Sequence, residues 1–221
     1  MGAERDEAAA LRGALVDAIE AEAPWGGGSW QPRVIAAMRR VPRHAFLPGV
    51  ALERAYEDEP QPIGHGQTIS QPTVVALMTN ALELSGTERV LEIGTGCGYQ
   101  AAVLAELASE VDTIERLPEL WRAARVRLAG WPNVRAHLGD GYCGLPSRAP
   151  FDRILLTAAP PVLPDTLVSQ LAHGGLLVAP VGTALQELVR VRRKGERLVE
   201  ERLGIVRFVP MVSADSDPGR G

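Results

Sequence analysis

Apolar residues recur along this chain with two periods, one helical and one suited to buried strands. Between Glu4 and Glu22, the residues Leu11, Leu15, Ala18 and Ile19 fall on one face at helical spacing, which predicts an amphipathic helix ahead of the main fold. Pro24 with Gly26, Gly27 and Gly28 ends it. A second helix is expected in Q-P-R-V-I-A-A-M-R-R. It is followed by V-P-R-H-A-F-L-P-G and by an acidic, proline-rich stretch, A-Y-E-D-E-P-Q-P-I-G-H-G, that reads as a loop. Helical spacing returns from Gln71 to Leu84, with Pro72 tolerated in the first turn, where its missing N–H would have had no helical partner.

From Arg89 onward, short apolar runs alternate with helical stretches. The strand V-L-E-I precedes a helix around Tyr99 to Ala108, and V-D-T-I-E precedes one around Leu117 to Ala129. Further strands are expected from Val134 to Leu138, in F-D-R-I-L-L-T and in G-L-L-V-A-P. Strands separated by helices predict a doubly wound, mostly parallel α/β sheet. After Pro180, E-L-V-R-V-R-R-K-G-E-R-L-V-E-E-R-L alternates charged and apolar positions around a Lys194-Gly195 turn, the pattern of a half-exposed antiparallel hairpin closing the sheet. The expected organisation is one domain over 1–212, with N-terminal helices, and a polar tail over 213–221 that is expected to be disordered.

Composition narrows the partners. At 221 residues and 46% apolar content the chain can bury one substantial core, and nothing in its length demands a second domain. A formal charge of -4 opposes a large basic footprint, so nucleic acid is not an expected partner. No apolar run suggests a membrane span, and the N-terminus lacks a secretory apolar core. Cys97 and Cys143 are too few for a disulfide framework and lack metal-ligand spacing, so both are expected as small, half-buried residues, in keeping with a reducing cytoplasm and no metal; the sequence does not give the oligomeric state, with a monomer the favoured reading.

The segment V-L-E-I-G-T-G-C-G-Y-Q-A-A-V-L joins a buried strand to a helix through Gly94, Thr95, Gly96, Cys97 and Gly98. A dinucleotide fingerprint would need a third glycine where Tyr99 stands, and a P-loop would need a lysine, whereas Lys194 is the only lysine of the chain. Glu92 precedes the first glycine, and a carboxylate there repels pyrophosphate but suits a cation. S-adenosylmethionine carries an ammonium and a sulfonium, and E-x-G-x-G-x-G resembles the first motif of class I methyltransferases. On that reading Glu115, ending the next strand, accepts the ribose hydroxyls, while Asp112 alternates to the other side. Asp140 in L-G-D-G accepts the adenine amine, with Gly141 allowing close approach. All three acids then stand at the carboxyl edge of the sheet, where such folds bind ligands.

The methyl acceptor is narrowed by elimination. T-A-A-P-P-V lacks the polar and aromatic positions of adenine amino-methylating enzymes, since Ala159 and Val162 stand there, and neither cysteine follows a proline as a cytosine carbon-methylating nucleophile would. No strong general base accompanies the cofactor motif. A carboxylate, ionised at neutral pH with a pKa of about 4, needs none.

The stretches V-P-R-H-A-F-L-P, A-Y-E-D-E-P-Q-P-I-G-H-G-Q-T-I-S-Q-P, V-L-E-I-G-T-G-C-G-Y-Q-A-A-V-L-A, G-D-G, A-P-F-D-R-I, Q-L-A-H-G-G-L-L-V-A-P-V-G and R-F-V-P-M together resemble the bacterial protein-L-isoaspartate O-methyltransferase family, from about Gln31 to Met211. The resemblance implies a Rossmann-like class I methyltransferase sheet and methylation of the free α-carboxyl of L-isoaspartyl residues in damaged proteins and peptides. It places Ser70 at the active site, Gln67, Thr68 and Ile69 in a cofactor-facing loop, and Val209, Pro210 and Met211 near the substrate. Ser70 also stands at a helix start, where a serine is a natural N-cap, and the two roles are compatible. Gly64 and Gly66 are expected to let that loop close over a peptide, with His65 as a loop contact. The helix before Pro24 and the tail beyond Met211 lie outside the resemblance. Two other readings stay open: a relative dedicated to one aspartate of a biosynthetic peptide, and a cofactor-binding regulatory module without catalysis.

Overall fold

A computed structural model of the chain describes residues 2–25 and 27–213; the tail expected to be disordered falls, from residue 214 on, outside the described residues. Three helices lead the fold: α1 (Gly2–Ala21), α2 (Pro32–Arg40) and the single turn α3 (Leu52–Ala55). A two-stranded antiparallel ribbon follows, β1 (Gln61–Gly64) and β2 (Gln67–Ile69), then α4 (Pro72–Ala81). The remainder runs β3 (Arg89–Ile93), α5 (Tyr99–Ala105), β4 (Glu110–Glu115), α6 (Pro118–Arg127), β5 (Val134–Leu138), β6 (Phe151–Leu156), α7 (Asp165–Ser169), β7 (Leu171–Gly182), β8 (Gln186–Lys194) and β9 (Arg197–Val206).

The seven larger strands form one sheet in the order β5-β4-β3-β6-β7-β8-β9, parallel through β7 and antiparallel at β8 and β9. Both faces of the inner strands β3, β4 and β6 are largely buried, which is why they read as mostly apolar runs, whereas the edge strand β5 is half-exposed. Val90, Val111, Leu155 and Val178 pack with α1, α2, α4 and α5, while Leu91, Ile93, Ile114, Ile154, Leu156 and Leu177 enclose a second cluster with Leu167 and Leu171. The chain leaves β3 toward β4 but leaves β6 toward β7. Those neighbouring strands therefore part at their carboxyl ends and open the crevice where open α/β sheets bind ligands.

Three expectations need correction. The segment read as a loop contains the β1–β2 ribbon, whose strands are so short and so rich in proline and glycine that no alternation shows; Gly64, His65 and Gly66 turn it with φ of 89°, 54° and 68°. Helices α4, α5 and α6 also end earlier than their apolar spacing suggests, α6 continuing only as a 3-10 turn over Leu128–Gly130. Cys97 is buried and Cys143 exposed, so neither is half-buried. Among the described residues no helix is long and apolar enough to cross a membrane.

Candidate active site

The glycine turn after β3 is shaped by the strand beside it. Both Gly94 and Thr95 donate their N–H groups to the Ile114 carbonyl, at 2.9 and 3.1 Å, which folds the turn over the end of β4. Gly94 has φ of 99°, and a Cβ there would stand 2.4 Å from the Thr157 hydroxyl oxygen, so both conformation and space call for glycine. Thr157, just past β6, shares its hydroxyl hydrogen between the carbonyls of Gly94 (2.7 Å) and Ile93 (2.9 Å). It thereby ties the two strands together at the crevice.

Gly94 and Gly96 line a cavity together with Gln67, Thr68, Glu115, Gly141, Thr157, Val209, Pro210 and Met211. Glu115 accepts N–H hydrogen bonds from Gly96 and Leu117, both at 2.9 Å, which fixes the carboxylate while each oxygen keeps a further acceptor site. Five other residues expected at the cofactor do not reach the cavity surface. Ile69, Glu92 and Thr95 are buried, Gly98 is the N-cap of α5, and Asp140 caps the 3-10 turn Gly141–Cys143 by accepting from the Tyr142 N–H at 2.8 Å.

Glu92 is the unusual member of this inner layer. Its side chain is 0% exposed, the Thr113 hydroxyl donates to one oxygen at 2.6 Å, and Thr95 lies 2.6 Å from Thr113 in turn. The other oxygen, Oε1, has no partner among the described residues. Burial pushes the carboxyl pKa up to about 8, against the lowering effect of the Thr113 hydrogen bond and with a further rise from the nearby Glu115 charge.

Beyond the cavity lies a wide, open groove that contains Ser70. Cavity and groove share Thr68, Thr157, Val209 and Pro210 as walls. The C-terminal half of that partition is pinned by main-chain hydrogen bonds, Ala159 N–H to the Val209 carbonyl at 2.9 Å and Met211 N–H to the Ala159 carbonyl at 2.8 Å. The Gln186 side chain fixes Phe208 just before it, accepting from its N–H at 2.6 Å and donating to its carbonyl at 3.1 Å.

The helix beside the groove is not capped by Ser70. Its N-cap position is Gln71, with no side-chain cap of its own. The Asp58 carboxylate, from the preceding loop, instead accepts from the Thr73 N–H (2.8 Å), the Thr73 hydroxyl (2.6 Å) and the Gln71 amide (2.9 Å). Arg43 of V-P-R-H holds that loop from beneath: it is buried over the Tyr99 ring at 5.2 Å and donates to the carbonyls of Ala55 (3.0 Å) and Glu59 (3.2 Å). The Ser70 hydroxyl is thus released from a capping duty. Ser70→Ala is expected to cost less than about 0.5 kcal/mol of stability. If its hydroxyl binds an acceptor carboxylate, turnover should fall by roughly tenfold to a hundredfold, the loss of one charge-assisted hydrogen bond. Denaturant melts and steady-state kinetics on the same sample check both halves, and unchanged turnover would remove Ser70 from the site.

Thr157 and Asp58 are the residues that sequence reasoning missed. A polar residue ending the β6 run at the carboxyl edge was a usable signal for Thr157, by the same rule that singled out Glu115. Asp58 offered none, because its partners lie across a ribbon and a turn.

The family described as protein-L-isoaspartate(D-aspartate) O-methyltransferase (PCMT) matches residues 26–216. The chain is 54% identical to protein-L-isoaspartate O-methyltransferase 2 of Pelobacter propionicus over 86% of this chain and 87% of that one. It is 52% identical to the protein-L-isoaspartate O-methyltransferase of Dictyoglomus thermophilum over 81% and 83% of the two chains. A solved protein-L-isoaspartate O-methyltransferase superposes with a TM-score of 0.82 at 28% identity, over 91% of this chain and 66% of the other. Another, from Plasmodium falciparum and in complex with S-adenosyl-L-homocysteine, superposes with a TM-score of 0.71 at 25% identity, over 82% and 91%. The chain belongs to the protein-L-isoaspartate(D-aspartate) O-methyltransferase family.

Proposed function

We propose that this chain uses S-adenosylmethionine to methylate the free α-carboxylate of L-isoaspartyl residues in damaged proteins and peptides. The observation that carries the reading is the wall shared by cavity and groove. Thr68, Thr157, Val209 and Pro210 bear no side chain that titrates near neutral pH, so among the described residues the shared wall offers no general base. An acceptor that arrives already ionised suits it.

The residues present fit the methyl donor. The cavity is lined by backbone, apolar side chains and a carboxylate, the mixture that a small-molecule site uses. The glycine turn brings backbone to its surface, Glu115 supports hydroxyl recognition, and the buried carboxyl of Glu92 with its unpartnered oxygen stands behind the turn, where it suits a cation through the field it sets rather than by contact. Gly141 carries the adenine side of the assignment, with Asp140 behind it. When bound, S-adenosylmethionine supplies a methyl group on a cationic sulfur.

The chain's own contribution is placement and exclusion of water. The hydroxyls of Ser70 and Thr68 are the groove's candidates for holding one carboxylate oxygen, which leaves the other to face the partition. Val209, Pro210 and Met211 form the apolar side of the junction and keep water from competing. The resulting ester has a far better leaving group than a carboxylate. A neighbouring backbone nitrogen can then close a succinimide, whose hydrolysis returns part of the damaged residue to normal aspartate.

The test is transfer of radiolabelled methyl from S-adenosylmethionine to a synthetic isoaspartyl peptide. The expected product is an ester whose label is released as methanol by mild alkali. A label that survives alkali, as an N-methyl group does, overturns the carboxylate assignment.

A further inference from the structure

The groove beyond Ser70 is larger than a single carboxylate requires, and whatever flanks that carboxylate must run through it. Three large apolar side chains on its walls remain in solvent: Trp25 is 41% exposed, Leu185 63% and Ile205 67%. They arrive from separate places, the segment after α1, the β7–β8 turn and the end of β9. Scattered exposed apolar residues are ordinary, but three lining one groove that opens from a reaction site mark a binding surface.

Glycines set two of these side chains in position. The Trp25 ring rests over the backbone of Gly204, its Cε3 only 3.3 Å from where a Cβ would be, which seats it beside Ile205. In the β7–β8 turn a Cβ on Gly182 would stand 2.1 Å from the Leu185 carbonyl oxygen, so only glycine permits the tight turn that presents Leu185.

Among the described residues Arg207 is the one charged residue lining the groove, and it is exposed. It has no hydrogen bond or ion pair among the described residues, whereas Arg190, Arg192 and Arg202 on the adjoining strands all pair with glutamates.

We propose that this groove is a subsite for the peptide flanking the acceptor residue, and that it selects segments carrying a large apolar side chain and an acidic one. The apolar residue packs against Trp25, Leu185 and Ile205, and the acidic one meets Arg207. The proposal rests on the isoaspartyl reading, because it takes the flanking chain of that substrate as its occupant. Trp25 precedes the family match, which starts at residue 26, so this part of the preference belongs to the chain's N-terminal extension.

The experiment measures kcat/KM for a panel of isoaspartyl peptides with Leu or Ala, and Glu or Lys, at the positions flanking the acceptor on each side. Leu over Ala, and Glu over Lys, are each expected to give a ratio of about five to ten at one flank, expressed mainly in KM. Trp25→Ala and Leu185→Ser should each narrow the Leu/Ala ratio, and Arg207→Glu should invert the Glu/Lys ratio. Arg207→Glu, an exposed substitution, keeps the test open if Trp25→Ala fails to fold. Flat ratios in the unaltered enzyme, or variants that scale every peptide equally, overturn the subsite. The two readings fail separately, since flat ratios on methylated peptides leave the isoaspartyl activity standing, while no methylation of any peptide removes that activity first.

Discussion

Glu92→Gln is expected to make the ligand-free protein more stable at alkaline pH, with the gain growing from pH 5 to pH 9. An ordinary glutamate has a pKa near 4.5, and burial raises that of Glu92 to about 8, so the folded state holds this proton more tightly than the unfolded chain does. The group's contribution is fully present below the unfolded pKa and is lost as pH climbs through the folded one. At about 1.4 kcal/mol for each tenfold difference in proton affinity, the loss between pH 5 and pH 9 is on the order of 4 kcal/mol. Glutamine keeps the shape and can still accept from Thr113, but it has no proton to lose. For a chain of this size the variant should melt roughly 8–16 °C higher than the unaltered protein at pH 9, while at pH 5 the two should nearly coincide. Thermal melts across that range check it, and parallel pH profiles would mean that Glu92 is not a strained acid.

The same change should weaken the methyl donor. An ammonium beside Glu92 favours the carboxylate, so binding near neutral pH would draw a proton off the protein. If Glu92 serves the donor's ammonium, the stability given up in the empty state is regained when the cation binds. Active sites often hold such strain.

This duality explains what could be read from sequence and what could not. Glu92, Glu115 and the glycine turn were legible because each sits at a strand end, and strand ends in a parallel sheet converge on one edge whatever the loops do. The direction in which Glu92 faces was not legible. Alternation pairs it with Thr113, in register across β3 and β4, and this places it inside the protein rather than on the cavity wall. Asp140 likewise lies in a turn beside the cavity, but it is Gly141 that lines the surface while the Asp140 side chain caps the turn. The β1–β2 ribbon hid because its two strands bury little beyond Gln61 and Ile69, too few positions to establish a period. Ser70 looked like a cap because a cap is a local pattern. The residue that actually caps, Asp58, is set by a tertiary arrangement resting on a buried arginine.

An isoaspartyl peptide should be methylated at least a hundredfold faster, in kcat/KM, than its aspartyl twin. The two acceptors have the same carboxylate chemistry and differ in reach. In the isoaspartyl residue the main chain runs through the side-chain carboxyl, leaving the α-carboxylate attached directly to a chain carbon. Normal aspartate carries its carboxylate one methylene further out, a displacement of about 1.5 Å, one carbon–carbon bond. The junction cannot follow that shift cheaply. Val209 and Met211 are fixed to Ala159, Phe208 is fixed to Gln186, and Thr157 is fixed to the strand end of β3, all through hydrogen bonds between 2.6 and 3.1 Å. A misplacement of about 1 Å at a reacting centre can cost on the order of a hundredfold in rate. Loosening the partition should therefore erode the discrimination more than it lowers cofactor affinity. Gln186→Ala frees Phe208 while leaving the cavity lining in place, and it should raise the relative rate on the aspartyl peptide. Side-by-side kinetics on the paired peptides, with label release in mild alkali to confirm the ester, measure this directly. Equal rates on the two peptides with the unaltered enzyme would show that the partition does not set the reach, and the isoaspartyl assignment would fall with it.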